Sequence, residues 1–257
     1  MFVQKLEHRK RQERKYGIAF ARSQDEVREA QRLRFRVFAD ELGARLNSAS
    51  GIDEDEFDPF CEHLLVRDEN SGEVVGTYRI LPPDAAARIG RIYSEQEFDL
   101  SRLAHLRPSL VEVGRSCIHP AFRNGSVIAL LWSGLARHVL KNNYAYLVGC
   151  ASMGMADGGT NASAVYRKLS ATSIAPPEYR VFPHNPLPLR DSVDAVVVPP
   201  LIKGYLRLGA YICGEPAWDP DFNTADLLVL LPLSRVDPRY ARHFLGSSAQ
   251  WYAPEGD

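Results

Sequence analysis

Residues 112–140, EVGRSCIHPAFRNGSVIALLWSGLARHVL, contain a short apolar strand, a loop and a helix in immediate succession. Val111 to Ile118 has the length and apolar character of a strand, and His119-Pro120 ends it. Asn124-Gly125-Ser126 then precedes an apolar run of helical length, Val127 to Leu140. The start of a helix after such a turn presents unpaired backbone N–H groups and a positive dipole end. The stretch therefore predicts either a phosphate or pyrophosphate site beside Arg123 or a plain helix start.

The composition is that of a globular protein with a substantial core. The chain has 257 residues, of which 45% are hydrophobic, so it can form one large domain or a domain with an appendage. No apolar run reaches the roughly 18 residues that a transmembrane helix needs. The first segment, MFVQKLEHRKRQERKYG, lacks the apolar stretch of a signal peptide. We therefore expect a cytoplasmic protein.

The four cysteines are widely spaced and form no CxxC pair. Neither a zinc site nor a disulfide framework is indicated by this spacing. We expect Cys61, Cys117, Cys150 and Cys213 to be buried reduced thiols, and we predict no metal.

Residues 1–16 form a basic N-terminal arm. One interpretation is a solvated helix or a frayed arm. The other is contact with anionic lipid at the inner face of the membrane or with an acidic carrier protein, with Phe2, Val3 and Leu6 as apolar anchors. Nucleic acid is not an expected partner, because no basic patch interleaved with aromatic residues continues into the domain.

The remaining elements alternate between strands and helices, which indicates an α/β fold. Helical periodicity predicts a first helix that starts at the capping-box pattern Ser23 to Glu26, and a second such pattern occurs at Ser94 to Glu97. The predicted strands are Ile18–Ala21, His63–Arg67, Val74–Leu81, Val111–Ile118, Tyr144–Ser152, Val193–Val198, Ala210–Cys213 and Asp226–Leu231. Further helices are predicted at 162–169 and 200–209, and short helical pieces at 84–110.

Residues 43–62 form a loop with five carboxylates between Asp53 and Asp58. Such a loop either stays solvated or attracts a cation, and an amino-acid substrate with an ammonium group is one such cation.

The strand, Arg-x-Gly turn and helix resemble the arrangement by which acyltransferases of the GNAT family hold the phosphopantetheine arm of an acyl donor. The resemblance implies a donor-binding role for Ile118, Arg123, Asn124, Gly125 and Ser126. The family has two spaced glycines after the basic residue, whereas only Gly125 follows Arg123 here. The order of strands and helices is also that of the GNAT family.

Four motifs in order resemble those of acyl-homoserine-lactone synthases. These are LRFRVFADELG, with Arg34 and Phe38, then Glu56-Phe57-Asp58, then GTYRIL with Arg79, and finally Glu112-Val-Gly-Arg115. Cys61 stands where a second acidic residue is usual, and the typical tryptophan after the first helix is absent. These departures count against lactone formation.

Nearly the whole chain resembles the ornithine-acyl-carrier-protein N-acyltransferases, a family sometimes labelled haemolysin-like. The similarity includes HLLVRD, EVGRSCIHPAFR and the tail PPLIKGYLRLGAYICGEPAWDPDFNTADLLVLLP. No toxin-like feature supports the haemolysin label. The resemblance implies a GNAT-like core at 17–172, with a central mixed twisted sheet flanked by helices, and a C-terminal extension at 173–257 packed on the same domain.

The implied reaction moves a 3-hydroxyacyl group from acyl carrier protein to the α-amine of ornithine. The donor is the acyl-phosphopantetheine of acyl carrier protein, or acyl-CoA, and no tightly bound cofactor is expected. The attacking amine must be neutral, so a base must take its proton, and Glu112 is the candidate. The alternative is that Glu112 pairs structurally with Arg115 or Arg79. The oxyanion would need donors, most simply backbone N–H groups at a bulge near Arg115 to Cys117.

The other candidate site residues have charges that suit the two substrates. Arg79 and Arg115 are predicted to hold the amino acid's carboxylate or the donor phosphate. Arg34, Phe38 and Asp58 are predicted to contact the substrate, with Asp58 or a neighbour binding the side-chain ammonium. His63 either shares the catalytic role or is hydrogen-bonded scaffold.

Two other functions stay open at this point. One is acylation of another amino acid or small amine by acyl-ACP or acyl-CoA. The other is a catalytically silent GNAT-like module that docks on carrier protein or membrane.

Overall fold

One mixed sheet runs through the molecule and contains every predicted strand except the one at 193–198. In the computed structural model, residues 14–46, 48–191 and 196–237 are described. The strands are β1 Tyr16–Phe20, β2 Glu62–Asp68, β3 Val74–Leu81, β4 Phe98–Asp99, β5 Leu110–Ile118, β6 Tyr146–Gly154, β7 Phe182–Pro183, β8 Tyr211–Ile212, β9 Ala217–Asp219 and β10 Thr224–Pro232. The α-helices are α1 Gln24–Phe35, α2 Pro83–Ile89, α3 Ser126–Lys141, α4 Thr160–Ser170 and α5 Pro200–Arg207.

The main sheet has the order β1-β2-β3-β5-β6-β10-β8, and β9 also pairs with β10. Its neighbouring strands are antiparallel except for β5 and β6, which are parallel. The short strands β4 and β7 form a second sheet. This arrangement confirms the predicted α/β fold with a central mixed sheet.

The parallel pair β5 and β6 is joined over only a short length. Its register extends over Leu110–Glu112 on β5 and Tyr146–Val148 on β6. Beyond this point Gly149 lies so close to the carbonyl oxygen of Val113 that a β-carbon would overlap it. The remainder of the two strands separates, and an opening forms between them.

Strand β5 contains the predicted bulge. Gly114 pairs with Arg79 and Cys117 pairs with Thr77, so β5 has one residue more than β3 in this interval. Arg115 adopts a left-handed backbone conformation, with φ of 50°. Because that region is unfavourable for a side chain with a β-carbon, the bulge holds Arg115 in a strained position.

Helices α1 and α3 cover opposite faces of β2 and β3. Leu64 and Val66 belong to the core on the side of α3, whereas Leu65 packs with residues of α1. This alternation follows from the period of two along a strand. Because Gly134 of α3 has no side chain, Ile18 and Leu64 pack directly against this helix.

The residues after α4 extend the same sheet. Strand β10 is buried along nearly all its length and pairs with β6 from Thr224 to Pro232. Helices α4 and α5 contribute Val165, Leu169 and Ile202 to the core on one face of β10. The boundaries proposed at 16, 172 and 173 stay predictions.

Two predictions, for the basic arm at residues 1–16 and for a strand at 193–198, are not confirmed. Residues 1–13 of the basic arm lie outside the described residues, and Tyr16 already belongs to β1. The strand predicted at 193–198 is wrong where it can be compared, because 196–198 are not extended into a strand, and 193–195 are not described. Among the described helices, none has both the length and the apolar character needed to cross a bilayer.

Candidate active site

A cavity of about 310 Å³ opens between the separated ends of β5 and β6. One part of its lining is polar. It comes from β3, β5, β6, β9 and β10 and a 3-10 turn, namely Arg79, Ser94, Glu112, Arg115, Ser116, Cys150, Ser152, Asp219 and Asp226. The other part is apolar and includes Trp132, Leu135, Val139, Leu147, Leu201, Tyr205, Val229 and Leu233. The cavity therefore suits a molecule with a polar end and a hydrophobic chain.

Six charged side chains form an arginine–aspartate cluster beside the cavity. Its members are Arg34, Arg79, Arg115, Asp53, Asp55 and Asp58. Arg34 Nε lies 2.8 Å from Asp53 Oδ2, and its two terminal nitrogens lie 2.9 and 2.8 Å from Asp58 Oδ1 and Oδ2. The cluster has as many arginines as aspartates, so the charges of this buried group are balanced.

Asp58 is fully occupied within this cluster. In addition to Arg34, it accepts hydrogen bonds from Gln31 Nε2 at 3.0 Å and from Arg79 at 3.0 Å. Burial opposes the charged form, but Arg34 and Arg79 outweigh it and hold the pKa of Asp58 well below its usual range. The predicted role of Asp58 as the ammonium site has no support from this geometry, because both of its oxygens are already bonded to protein groups.

Arg115 lies at the edge of the cluster, where it faces the cavity. Its guanidinium contacts Asp55 Oδ2 at 3.1 Å and lies 4.5 Å from the ring centre of Tyr93 and 4.7 Å from that of Phe222. Arg79, held by Asp55 at 2.6 Å, also lines the cavity. Phe38 lines the cavity too and meets Phe222 edge to face. These predicted residues are thus brought together, whereas Arg34 is fully buried behind them.

Glu112 lies in the polar lining and is bonded to neutral donors. Its Oε1 accepts from the Ser94 backbone at 2.8 Å and the Ser94 hydroxyl at 2.6 Å, and its Oε2 accepts from Tyr93 N at 2.7 Å. Burial raises the pKa of this carboxyl, and these hydrogen bonds partly offset the shift. The alternative pairing of Glu112 with Arg115 or Arg79 does not occur among the described ion pairs.

The capping box predicted at Ser94 to Glu97 is wrong, and its correction explains how Glu112 is held. The 3-10 turn is Tyr93–Gln96, and Glu95 Oε2 accepts from Ile92 N at 2.8 Å. Ser94 is therefore inside the turn, where its N–H and hydroxyl are both directed at Glu112.

His63 does not line the cavity. Its Nε2 lies 3.1 Å from the Asp58 carbonyl oxygen, and burial lowers the pKa of the imidazole. A neutral His63 that donates to Asp58 steadies the loop of the arginine–aspartate cluster. Its catalytic role stays a prediction.

The turn before α3 has the predicted shape, but Arg123 and the N–H group of Ser126 are already bonded to other groups of the protein. Gly125 has φ of 90°, and Asn124 Oδ1 accepts from Ser126 N at 3.1 Å. Arg123 makes two contacts with Glu41, at 2.5 and 2.7 Å, and its Nε donates to the Ile118 carbonyl at 3.0 Å. A phosphate at this turn would have to replace Glu41 as the partner of Arg123.

Sequence reasoning missed a second group of acids, which we call the acidic pair, Glu97 and Asp226. One carboxylate oxygen of each and Sγ of Cys150 all lie within 4.8 Å of one another. Asp226 is only 4% exposed and lines the cavity. Burial and the charges of Asp226 and Asp219 raise the pKa of Glu97 to about 10. The feature of the sequence that could have indicated this pair is a single aspartate, Asp226, in the otherwise apolar strand ADLLVLL.

Cys117 and Cys213 are buried free thiols, as predicted, whereas the free thiols Cys61 and Cys150 are only partly buried. Burial raises the pKa of Cys117 to about 12 and that of Cys150 well above its usual value. Both are therefore protonated near neutral pH and unsuited to act as nucleophiles.

The sequence is similar to L-ornithine N(α)-acyltransferases over most of its length. Residues 33–133 match the acetyltransferase (GNAT) domain model. The chain is 36% identical over 249 residues to the L-ornithine N(α)-acyltransferase of Rhodobacter capsulatus, a match that covers 89% of this chain and 94% of that protein. It is 34% identical to the enzyme of the same name from Brucella abortus, with 88% of each chain covered. The chain belongs to the L-ornithine N(α)-acyltransferase family.

Solved structures with this fold include two other acyl-transferring enzymes. The CoA-dependent acyl-homoserine lactone synthase BjaI superposes with a TM-score of 0.56 at 15% identity and covers 95% of this chain and 96% of its own. FeeM, an N-acyl amino acid synthase from uncultured soil microbes, gives 0.55 at 13% identity, with 91% and 96% covered. At these identities the likeness concerns the fold alone.

Membership of the L-ornithine N(α)-acyltransferase family confirms the predicted family and establishes the chain as an acyltransferase with the GNAT fold. An enzyme of this kind takes an acyl group from a donor and passes it to an acceptor. The cavity, with its polar and apolar linings, is the site where we expect both to meet.

Proposed function

We propose that this enzyme transfers a 3-hydroxyacyl group from acyl carrier protein to the α-amine of L-ornithine, giving lyso-ornithine lipid. The observation that carries the proposal is the two-part cavity at the opening between β5 and β6, where ionisable groups adjoin an apolar chamber. We take L-ornithine as the acceptor because the relatives are L-ornithine N(α)-acyltransferases. The apolar lining is suited to an acyl chain, and the opening beside the bulge is suited to the thioester arm.

The reaction joins the α-nitrogen to the thioester carbonyl carbon and breaks the carbon–sulfur bond. The α-ammonium loses a proton to become nucleophilic, and the nitrogen loses a second when the amide forms. One of these protons completes the departing thiol and the other leaves to solvent. A group that accepts protons beside the amine accelerates this step.

Glu112 is our candidate for that group. It lies in the cavity lining, and its raised pKa increases its affinity for a proton. The hydroxyl of Ser94, which donates to Glu112 at 2.6 Å and also lines the cavity, offers a path for the proton.

The bulge at Arg115 is our candidate for oxyanion stabilisation. A bulge leaves a residue outside the regular ladder, and its N–H can then be directed at a ligand. Arg115 also lines the cavity, so its guanidinium is available to the acceptor carboxylate.

Purified full-length protein with a long-chain 3-hydroxyacyl carrier protein tests the reaction. Ornithine, lysine, glycine and homoserine are offered in turn, and the products are identified by mass spectrometry. N-acyl-ornithine is the expected product. Product from acyl-CoA but not from acyl carrier protein would reassign the donor, and consumption of acetyl-CoA without any long-chain product would overturn the proposal.

The basic arm at residues 1–16 is our candidate for contact with the inner face of the membrane, since its cations are adjacent to apolar residues. We expect deletion of residues 1–15 to weaken sedimentation with vesicles that contain an anionic lipid, and neutral vesicles are the control. Equal sedimentation of the wild type and the deletion variant with anionic vesicles would contradict this proposal.

A further inference from the structure

The acidic pair has no cationic partner among the described residues. The arginine–aspartate cluster and the other described ion pairs leave out both Glu97 and Asp226. Both carboxylate oxygens of Glu97 and Oδ1 of Asp226 are buried without a hydrogen-bond partner in this part of the chain. Buried carboxylates normally have partners, so these unfilled acceptors point to a ligand that supplies donors.

The secondary structure fixes the pair in place. Asp226 lies on β10 between its partners Ser152 on β6 and Ala217 on β9. Glu97 follows the 3-10 turn, and its carbonyl accepts from His184 N at 2.8 Å. Strand β10 thus holds the backbone of Asp226, and the 3-10 turn and the hydrogen bond from His184 hold that of Glu97.

The pair is connected to the proposed reaction centre through two side chains. Cys150 Sγ, within 4.8 Å of the pair, lies 3.5 Å from the Ser94 hydroxyl, and that hydroxyl lies 2.6 Å from Glu112 Oε1. Asp226, Cys150, Ser94 and Glu112 all line the same cavity. One small molecule can therefore present an amine near Glu112 and a second group at the acidic pair.

The required group is a cation with several N–H donors that is small enough for a buried pocket. An alkylammonium fulfils this description, because its three donors can be shared between the two carboxyl groups. Its positive charge also lowers the raised pKa of Glu97, so the carboxylate forms when the ammonium binds. A metal ion suits the set less well, because the Cys150 thiol is protonated and only two carboxylates remain.

We infer that Glu97 and Asp226 bind the side-chain ammonium of the acceptor and so select a diamino acid. This inference rests on the proposed function. It moves the ammonium site from the acidic loop at Asp58 to the acidic pair, of which Asp226 lines the cavity. The acceptor then has two anchors: its side-chain ammonium at the acidic pair and its α-amine near Glu112.

The first arm of the test uses the wild-type enzyme with ornithine and with norvaline, which has the same carbon chain but lacks the second amine. We expect kcat/KM for ornithine to exceed that for norvaline by about 10- to 100-fold, the value of one or two charged hydrogen bonds. Equal values for the two acceptors would overturn the inference without any variant.

The second arm measures the ratio of kcat/KM for ornithine to that for norvaline in Asp226→Asn and Glu97→Gln. We expect the ratio to fall toward one in both. Asp68→Asn is the matched control, because Asp68 is also a buried carboxylate but lies in the β2–β3 hairpin, where it binds Ser71 and Asn70. An unchanged ratio in a folded pair variant would contradict the inference.

Two further outcomes distinguish failure of the inference from failure of the proposed function. Absence of N-acyl-ornithine from the wild-type reaction would reject the function itself. Formation of N-acyl-ornithine together with loss of activity in EDTA, restored by a divalent ion, would assign the acidic pair to a metal and overturn only the inference.

Discussion

The arginine–aspartate cluster and the acidic pair are two groups of buried carboxylates near the same cavity, and they are neutralised in opposite ways. In the cluster, arginines occupy the carboxylates and hold the pKa of Asp58 below its usual range. In the pair, no described cation is present, and the pKa of Glu97 is raised to about 10. Acids that are bonded to arginines form part of the wall beside the cavity, whereas the buried acids without a described partner are those that we propose to bind the acceptor.

Glu112 is an intermediate case, and its replacement has the largest expected effect. It is bonded to neutral donors only, so it can gain and lose a proton without breaking an ion pair. We expect Glu112→Gln to lower kcat by about 10²- to 10⁴-fold, the usual contribution of a general base. The measurement is product formation with ornithine, with circular dichroism as the check on folding. Transfer at a near-normal rate by the folded variant would remove the base assignment.

Removal of an arginine from the cluster should turn paired acids into unpaired ones. Arg34→Met leaves Asp53 and Asp58 without their main partner, so we expect the free energy of unfolding to fall by about 3–5 kcal/mol. Urea denaturation measures the change. The matched control is Arg36→Met, two residues along the chain, where the side chain is 50% exposed and pairs with Glu73.

For Arg36→Met we expect a loss of less than about 1 kcal/mol, because exposed ion pairs contribute little. Equal losses in the two variants would mean that the cluster does not stabilise the wall of the cavity.

The smallest expected effect is a gain in stability from the acidic pair. The pKa of Glu97 rises from 4.5 in the unfolded chain to about 10 in the folded protein, so the native state loses stability as pH rises through this range. Glu97→Gln removes that loss. We therefore expect the variant to unfold at a higher temperature than the wild type at about pH 9 and at a similar temperature at about pH 4.5.

Thermal unfolding across this pH range gives the measurement. A constant difference between variant and wild type at all pH values would show that Glu97 is not held unpaired in the native state.

The long elements of the fold could be predicted because their sequence pattern matches one period over many residues. Strand β3 has the predicted limits, Val74–Leu81, and the helix predicted from 127 to 140 is α3 at Ser126–Lys141. The two- and three-residue strands β4, β7 and β9 were missed, because so short an extended segment depends on its neighbour rather than on its own sequence.

The candidate site was predictable only as a set of charged residue types. Sequence reasoning selected Arg79, Glu112 and Arg115, which all line the cavity. It also selected Asp58 from the density of acids in its loop, but acid density cannot tell whether arginines from other elements already occupy the carboxylates. Glu97 and Asp226 were missed because they are distant in sequence and meet only when β10 pairs with β6.

The place of β10 in the chain order has a consequence for protein synthesis. Glu112, Arg115 and Cys150 are translated well before residues 224–232, which supply Asp226 and part of the apolar lining. Until that segment emerges from the ribosome, β6 has a free edge and the apolar part of the cavity is open on one side. A nascent chain therefore has its proposed proton acceptor early, but its apolar cavity lining is complete only when β10, the last long strand of the described residues, is made.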